Sequence, residues 1–271
     1  MLNLHRPATV LVFAAVLCGG PSAPSGRPIY VLPLGDSITQ GGRTDRQEYS
    51  YRYPLFGMLR DAGVEFDFIG SLKTGLHPDA TWPDHDGRPF DRDHEGHYGW
   101  RTARVRDELP KWLAIYPAPP DLALIHLGTN DQRIRGSATR PVTDAEAADR
   151  YDRAIVRPLR DIVATLRQAN PDVVVLIGHL NFNEGAATRI RGQVEALARE
   201  LDSDRSPVVT VHHYDGFNAD PTHGQADTFD GAHPNPQGQA KMARRWFEAA
   251  RPFLPALRRA AGQGEPAATP P

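Results

Sequence analysis

The chain has 271 residues, 40% of them hydrophobic and 24% charged, with a net charge of −2 at pH 7. That balance offers no basic surface for a nucleic-acid partner. The length suits one domain that buries roughly three quarters of the surface its unfolded chain exposes. A single cysteine, Cys18, leaves no pair for a disulfide and no set for a zinc–thiolate site.

His5 and Arg6 precede a short apolar run over residues 8–18, and small residues and prolines follow from Gly19 to Gly26. This is the layout of a secretory signal peptide, and the run is too short to span a bilayer. Residues 1–26 are therefore expected to be a signal peptide and short linker, cleaved between Gly20 and Gly26, with an uncleaved anchor as the alternative. Leu17 is bulky where lipoprotein cleavage wants a small residue, so no lipid is expected on Cys18. Export would leave a mature protein with no cysteine and no other stretch of membrane-spanning length.

Strand-like runs then alternate with helical segments. Residues 29–34 read as a first strand, residues 53–60 as a helix that Gly63 ends, and residues 64–69 as a strand with period-two alternation. Residues 122–127, 173–177 and 207–211 read as three more strands. Near-continuous apolar runs mark strands covered on both faces, as in a parallel sheet. Residues 145–169 are helix-prone with a kink or break at Pro158, residues 186–201 form another helix, and residues 237–254 a third. This alternation predicts one three-layer α/β domain over residues 27–258. Residues 259–271 are mostly Gly, Ala and Pro and are expected to be a disordered tail.

Two stretches are too irregular to be scaffold. Residues 71–102 hold four histidines, several aspartates and two tryptophans among many Gly and Pro. Residues 132–143 carry Arg133, Arg135 and Arg140. Long loops of this kind in a compact domain are usually functional.

Chemistry concentrates at the ends of the strands. Gly35-Asp36-Ser37 follows the first strand and places a hydroxyl at the carboxyl edge, where open α/β sheets bind ligands. A serine needs a base to become a nucleophile, and histidine is the usual one. Asp230-Gly231-Ala232-His233 offers a base and, three residues away, a carboxylate to orient it. Gly128-Thr129-Asn130-Asp131 follows the third strand at the same edge, so Asn130 can aim an amide at the same pocket. Gly99, in His97-Tyr98-Gly99-Trp100, can offer a bare backbone N–H. Each motif alone also reads as turn chemistry.

Together the four blocks resemble the SGNH (GDSL-type) hydrolase superfamily, and the resemblance covers nearly the whole domain. It implies a flavodoxin-like α/β/α sandwich with five parallel strands in the order 2-1-3-4-5. It implies Ser37 as nucleophile, His233 as base, Asp230 as orienter, and an oxyanion hole from the Ser37 and Gly99 amides and the Asn130 side chain. Residues 66–71 and 93–100 are similar to blocks of carbohydrate esterase family three, the acetylxylan esterases, whose members commonly carry serine where this chain has Tyr98.

The expectation is a secreted serine esterase that removes short acyl groups, acetyl first, from an acetylated carbohydrate or other small ester. It needs no metal and no organic cofactor. Asp36, Tyr98 and Trp100 are the candidate substrate contacts. A lipase or lysophospholipase of the same superfamily is the alternative. A non-catalytic carbohydrate-binding domain is a more distant one, as is a nucleotide-binding protein, because the chain has no P-loop or dinucleotide fingerprint. His94 and His97 are three apart beside glycines, not four apart on a helix, and read as loop hydrogen-bonders rather than a zinc pair. His126 reads as a core histidine, His212-His213 as a strand end near the site, and Trp82 as a packing anchor.

Overall fold

The computed structural model describes residues 26–42, 50–77, 82–131, 143–182 and 185–264. The expected signal segment, the three arginines of the second loop and the end of the expected tail lie outside the described residues.

A parallel sheet forms the middle layer. Its strands are β1 (Ile29–Asp36), β2 (Phe66–Phe68), β3 (Glu95–His97), β4 (Leu122–His126), β5 (Val174–Gly178) and β6 (Val208–Val211). The order is β2-β1-β4-β5-β6, with β3 also paired to β1. Along one side of β1, β2 pairs with Ile29–Val31 and β3 takes over at Leu34–Asp36. With β3 set aside, the order is the expected 2-1-3-4-5. The sixth strand was not foreseen because Glu95-Gly96-His97 has no apolar alternation.

Alternation along the strands builds the outer layers. Leu32, Leu34, Ala123, Ile125, Val175 and Ile177 face one core, and Ile29, Val31, Leu122, Leu124, Val174 and Leu176 face the other. The first core is covered by α3 (Thr102–Leu113), α5 (Arg157–Ala169) and α6 (Ala186–Leu201). The second is covered by α2 (Arg52–Asp61), α7 (Pro236–Ala250) and α8 (Leu254–Ala260), with Trp246 fully buried at its centre.

The expected break at Pro158 is a change of helical pitch. Helix α4 (Asp144–Tyr151) runs through a π-helical turn (Asp152–Val156) straight into α5, so Pro158, which has no N–H for the helical ladder, follows directly on the change of pitch. No helix was foreseen over Thr102–Leu113, because Pro110 interrupts an otherwise amphipathic pattern. The chain stays ordered past Arg258: α8 reaches Ala260, and Gln263 donates to the carbonyls of Arg27 and Glu65. No helix among the described residues is long and apolar enough to cross a membrane.

Beyond β1 the chain turns at once into a one-turn helix, α1 (Ser37–Gln40). The buried Arg52 holds that turn, donating to the carbonyls of Thr39 and Gln40 and, across the loop, to that of Arg92. Gly96 lies against it: a Cβ there would stand 2.4 Å from the Gln40 nitrogen and 2.8 Å from the Thr39 carbonyl carbon. Backbone must move to admit a methyl group, so Gly96→Ala is expected to destabilise the protein by about 1–3 kcal/mol. Urea unfolding should show a lower midpoint with an unchanged slope.

Candidate active site

The sheet reverses its winding between β1 and β4, which makes that crevice the expected ligand position. Gly35 lies opposite His126 in the β1–β4 register. A Cβ on Gly35 would stand 2.2 Å from the Thr39 hydroxyl and 2.7 Å from the His126 carbonyl oxygen, so only glycine lets the chain turn here. Asp36 follows, its carboxylate accepting from the Ile38 amide at 3.0 Å. Ser37 then opens α1 at the mouth of the crevice, 6% exposed.

His233 reaches the same point from a segment 196 residues away. Its Nε2 lies 2.9 Å from Ser37 Oγ, and its Nδ1 lies 3.0 Å from Asp230 Oδ2 and 3.1 Å from Oδ1. With its proton on Nδ1, His233 donates to Asp230 and leaves Nε2 free to accept from the Ser37 hydroxyl. The Asp230 carboxylate also accepts from the amides of Ala232 and His233. Partial burial pushes its pKa up, but the His233 amide and imidazole and the Ala232 amide outweigh that and hold it below the ordinary carboxylate value. The carboxylate therefore stays charged.

The opposite wall is the segment after β3. Gly99 has φ +74 with open space where a Cβ would be, so the left-handed backbone, not crowding, calls for glycine. The Tyr98 amide donates to Gln40 Oε1 at 2.8 Å, and the Tyr98 ring lies nearly parallel to that of His233, with centroids 6.3 Å apart. Asn130 Nδ2 donates to the Trp100 carbonyl at 2.9 Å. An amide carries two N–H groups, so this bond fixes the side chain and leaves a second donor. Asp131 accepts from the Thr102 amide and hydroxyl at 3.0 and 2.8 Å. These contacts clamp the end of β4 to the start of α3.

Ser37, Tyr98, Gly99, Thr129, Asn130, Ala232 and His233 line a pocket of about 180 Å³. A larger, more apolar groove of about 660 Å³ between α2, α7 and α8 carries no serine, histidine or carboxylate on its walls. The residues expected to share one site are thus brought together, and Thr129 and Ala232 join them from the interiors of their motifs.

Two candidate substrate contacts are placed differently. Asp36 is fully buried beneath the pocket, and burial raises its carboxyl to about 7 against the pull of the Ile38 amide and the Thr129 hydroxyl. Trp100 stacks on His97 at 4.1 Å, and the Arg104 guanidinium lies 3.7 Å from its ring centroid. Two groups that close cannot share one face, so both faces of the indole are used in packing. Trp82 likewise packs against Tyr53 and Phe90.

The loop histidines bond separately. His94 donates from Nε2 to the Thr74 carbonyl and accepts at Nδ1 from the Gly96 amide, and His97 Nε2 pairs with Glu95. The fully buried Glu95 also accepts from the Ser71 amide and hydroxyl and from Tyr116. That hub under the loop had no sequence signal beyond one acidic residue among glycines.

The fold and the site define the class: a carboxylic ester hydrolase built on a flavodoxin-like sandwich. Residues 34–241 match the model of the GDSL-like lipase/acylhydrolase family, and the chain belongs to that family. No curated protein matches its sequence. Among solved structures, a carbohydrate esterase family 3 protein from Talaromyces cellulolyticus shares 24% identity at a TM-score of 0.62, over 84% of this chain and 99% of that one. An acetyl esterase mutant solved with acetate ion shares 23% at 0.63, over 84% and 99%. A family 3 carbohydrate esterase from Clostridium thermocellum shares 22% at 0.62, over 85% and 99%. At such identities the likeness establishes the shared fold.

Behind the pocket, burial drives the His126 imidazole down to about 4 and that of His213 well below its ordinary value. The unfolded chain binds a proton on each near pH 6.5, and the native state refuses it. More protons on the unfolded state means that stability falls as pH drops from about 6.5 toward about 4. His126→Gln is expected to flatten part of that fall. In urea unfolding from about pH 7 to pH 4.5, the wild-type advantage over the variant should shrink steadily with acidity. A constant difference would mean that His126 does not take part.

Proposed function

We propose that the protein is an exported serine esterase that cleaves short acyl esters, acetyl first, from carbohydrate. The observation that carries this reading is the unbroken hydrogen-bonded row Ser37–His233–Asp230 at one side of a small pocket whose other side presents Gly99 and Asn130.

In this mechanism Ser37 Oγ attacks the ester carbonyl carbon while its proton passes to His233 Nε2. Asp230 stabilises the resulting imidazolium. The carbonyl oxygen, now negative, is held by the Ser37 and Gly99 amides and the free N–H of Asn130. His233 returns the proton to the departing alkoxide as the carbon–oxygen bond breaks, leaving acyl-Ser37. Water, deprotonated by His233, then attacks the acyl carbon; the bond to Ser37 Oγ breaks as His233 returns the proton to it, and the acid leaves. Each step uses only these side chains and amides.

The pocket size and lining support a short acyl group over a long chain. Among the described residues, the pocket measures about 180 Å³ and is lined by Ser37, Tyr98, Gly99, Thr129, Asn130, Ala232 and His233, a size suited to a small acyl group. Proteins with this fold include an acetyl esterase and family 3 carbohydrate esterases, which supports an acetylated sugar as leaving group. The apolar run over residues 8–18 supports export.

On 4-nitrophenyl acetate, Ser37→Ala and His233→Ala should each lower kcat by about 10⁴-fold or more, and Asp230→Ala by less. Activity in Ser37→Ala above a trace would end the mechanism. Asn130→Ala should lower kcat about 10²- to 10³-fold with a small change in KM. Acetyl esters should be cleaved faster than octanoyl or longer ones, and the reverse order would make the protein a lipase. Acetate released from a panel of acetylated polysaccharides, with Ser37→Ala as control, identifies the substrate.

A further inference from the structure

A second group of chemistry-bearing side chains lies at the same edge of the sheet, two strands from the pocket. Strands β5 and β6 pair with Gly178 opposite Val211. The next residues, His179 and His212, therefore leave the sheet side by side. By alternation both share the face of Ile177 and Thr210, the face that α6 covers. Glu195 sits on α6 directly above them. From strand spacing, about 4.8 Å per strand, the group stands roughly 10 Å along the sheet from the β1–β4 crevice. None of its residues lines the catalytic pocket.

All three side chains converge on one atom. Glu195 Oε1 lies 2.7 Å from His179 Nε2, 3.0 Å from His212 Nε2 and 3.0 Å from the Thr210 hydroxyl. Three donors crowd an oxygen that has two lone pairs. The three candidate ligand atoms all lie within 4.8 Å of one another. A tetrahedral zinc ion, with bonds of about 2.0–2.2 Å, sets its ligands roughly 3.3 Å apart. Matching that spacing means opening the nitrogen–oxygen distance by about 0.6 Å at His179 and about 0.3 Å at His212.

His179 is 3% exposed as a side chain while His212 is 49% exposed, so one side of the group opens to water for a fourth ligand. Thr210 supplies the outer hydrogen bond that orients the carboxylate. Arg199 approaches the other oxygen, Oε2, at 3.9 Å.

We propose that His179, Glu195 and His212 bind one divalent transition-metal ion, zinc by its imidazole and carboxylate donors, and that this ion staples α6 to the ends of β5 and β6. Its place outside the pocket makes the role structural, and ester cleavage does not pass through it. The rival reading is a carboxylate that simply accepts hydrogen bonds from two neutral imidazoles.

The test uses the full chain purified without a polyhistidine tag, stripped with chelator and titrated with zinc chloride. One zinc per chain should bind at micromolar affinity or tighter and raise the melting temperature. Cobalt in its place should give the visible absorption of a tetrahedral site. His212→Ala and Glu195→Gln, both at accessible positions, should each weaken zinc binding about tenfold or more and abolish the thermal shift. His85→Ala, which dismantles a surface group with Asp61 and Asp86, should leave both unchanged. Stoichiometric binding absent from the wild type, retained in Glu195→Gln and His212→Ala, or lost in His85→Ala would overturn the proposal.

Discussion

The pocket depends on one clamp, the Asp131 carboxylate reaching from the end of β4 to the first residue of α3. The segment carrying Tyr98, Gly99 and Trp100 is also held by the Gln40 and Asn130 bonds, by the β3–β1 pairing just before it and by the stacking of Trp100 on His97 and Trp112. The carboxylate takes two bonds from Thr102 at a helix N-terminus, where the backbone dipole favours negative charge. Asn130, one residue earlier, is thereby fixed in register with Gly99. In the proposed mechanism, two donors on different elements can meet one oxyanion only if both elements are locked before the substrate arrives. Glu95 does the same work from below, gathering Ser71, His97 and Tyr116 under the loop.

His233 is held by a different device. The segment between β6 and α7 folds on itself before it presents His233. The buried Asp227 accepts from the Asn218 amide and Lys241, and the Phe229 amide donates to the His233 carbonyl. Asn235 donates to the Ala226 carbonyl and caps α7 at the Gly238 amide, and Pro236 opens that helix with its φ preset. The histidine is therefore anchored to α7, and α7 is anchored through Trp246 in the second core. Ser37 and His233 come from opposite ends of the chain but share one packed layer, since α7 lies against α2 just beyond α1.

What the sequence disclosed follows from which signals are local. Strands β1, β4, β5 and β6 are apolar runs, and their carboxyl edge put Ser37, Asn130 and the later blocks at one rim. The spacing of Asp230 and His233 is itself local, three residues across one turn. Strand β3 escaped because its pairing is made by backbone around a glycine, with no alternation to read. Helix α3 escaped because Pro110 speaks against a helix that packing enforces. Asp36 and Trp100 looked like contacts because they adjoin the nucleophile and the glycine block. Only the three-dimensional arrangement tells a buried cap from a pocket wall, or an indole with both faces packed from one left open to a sugar.

The burial that hides Asp36 also suits the chemistry proposed above it. A carboxylate below Ser37 would oppose the negative charge that grows on the carbonyl oxygen during attack, and in a dry site that opposition would be large. Burial moves Asp36 toward its neutral form and His126, opposite Gly35, toward its own. The floor of the pocket is thus biased against carrying charge of either sign. Asp230 escapes this fate because two amides and an imidazole hold its charge. Two aspartates, each near the ends of the same Ser–His pair, are driven in opposite directions by their surroundings. One caps a turn and the other holds a histidine, a division that the residue type alone does not determine.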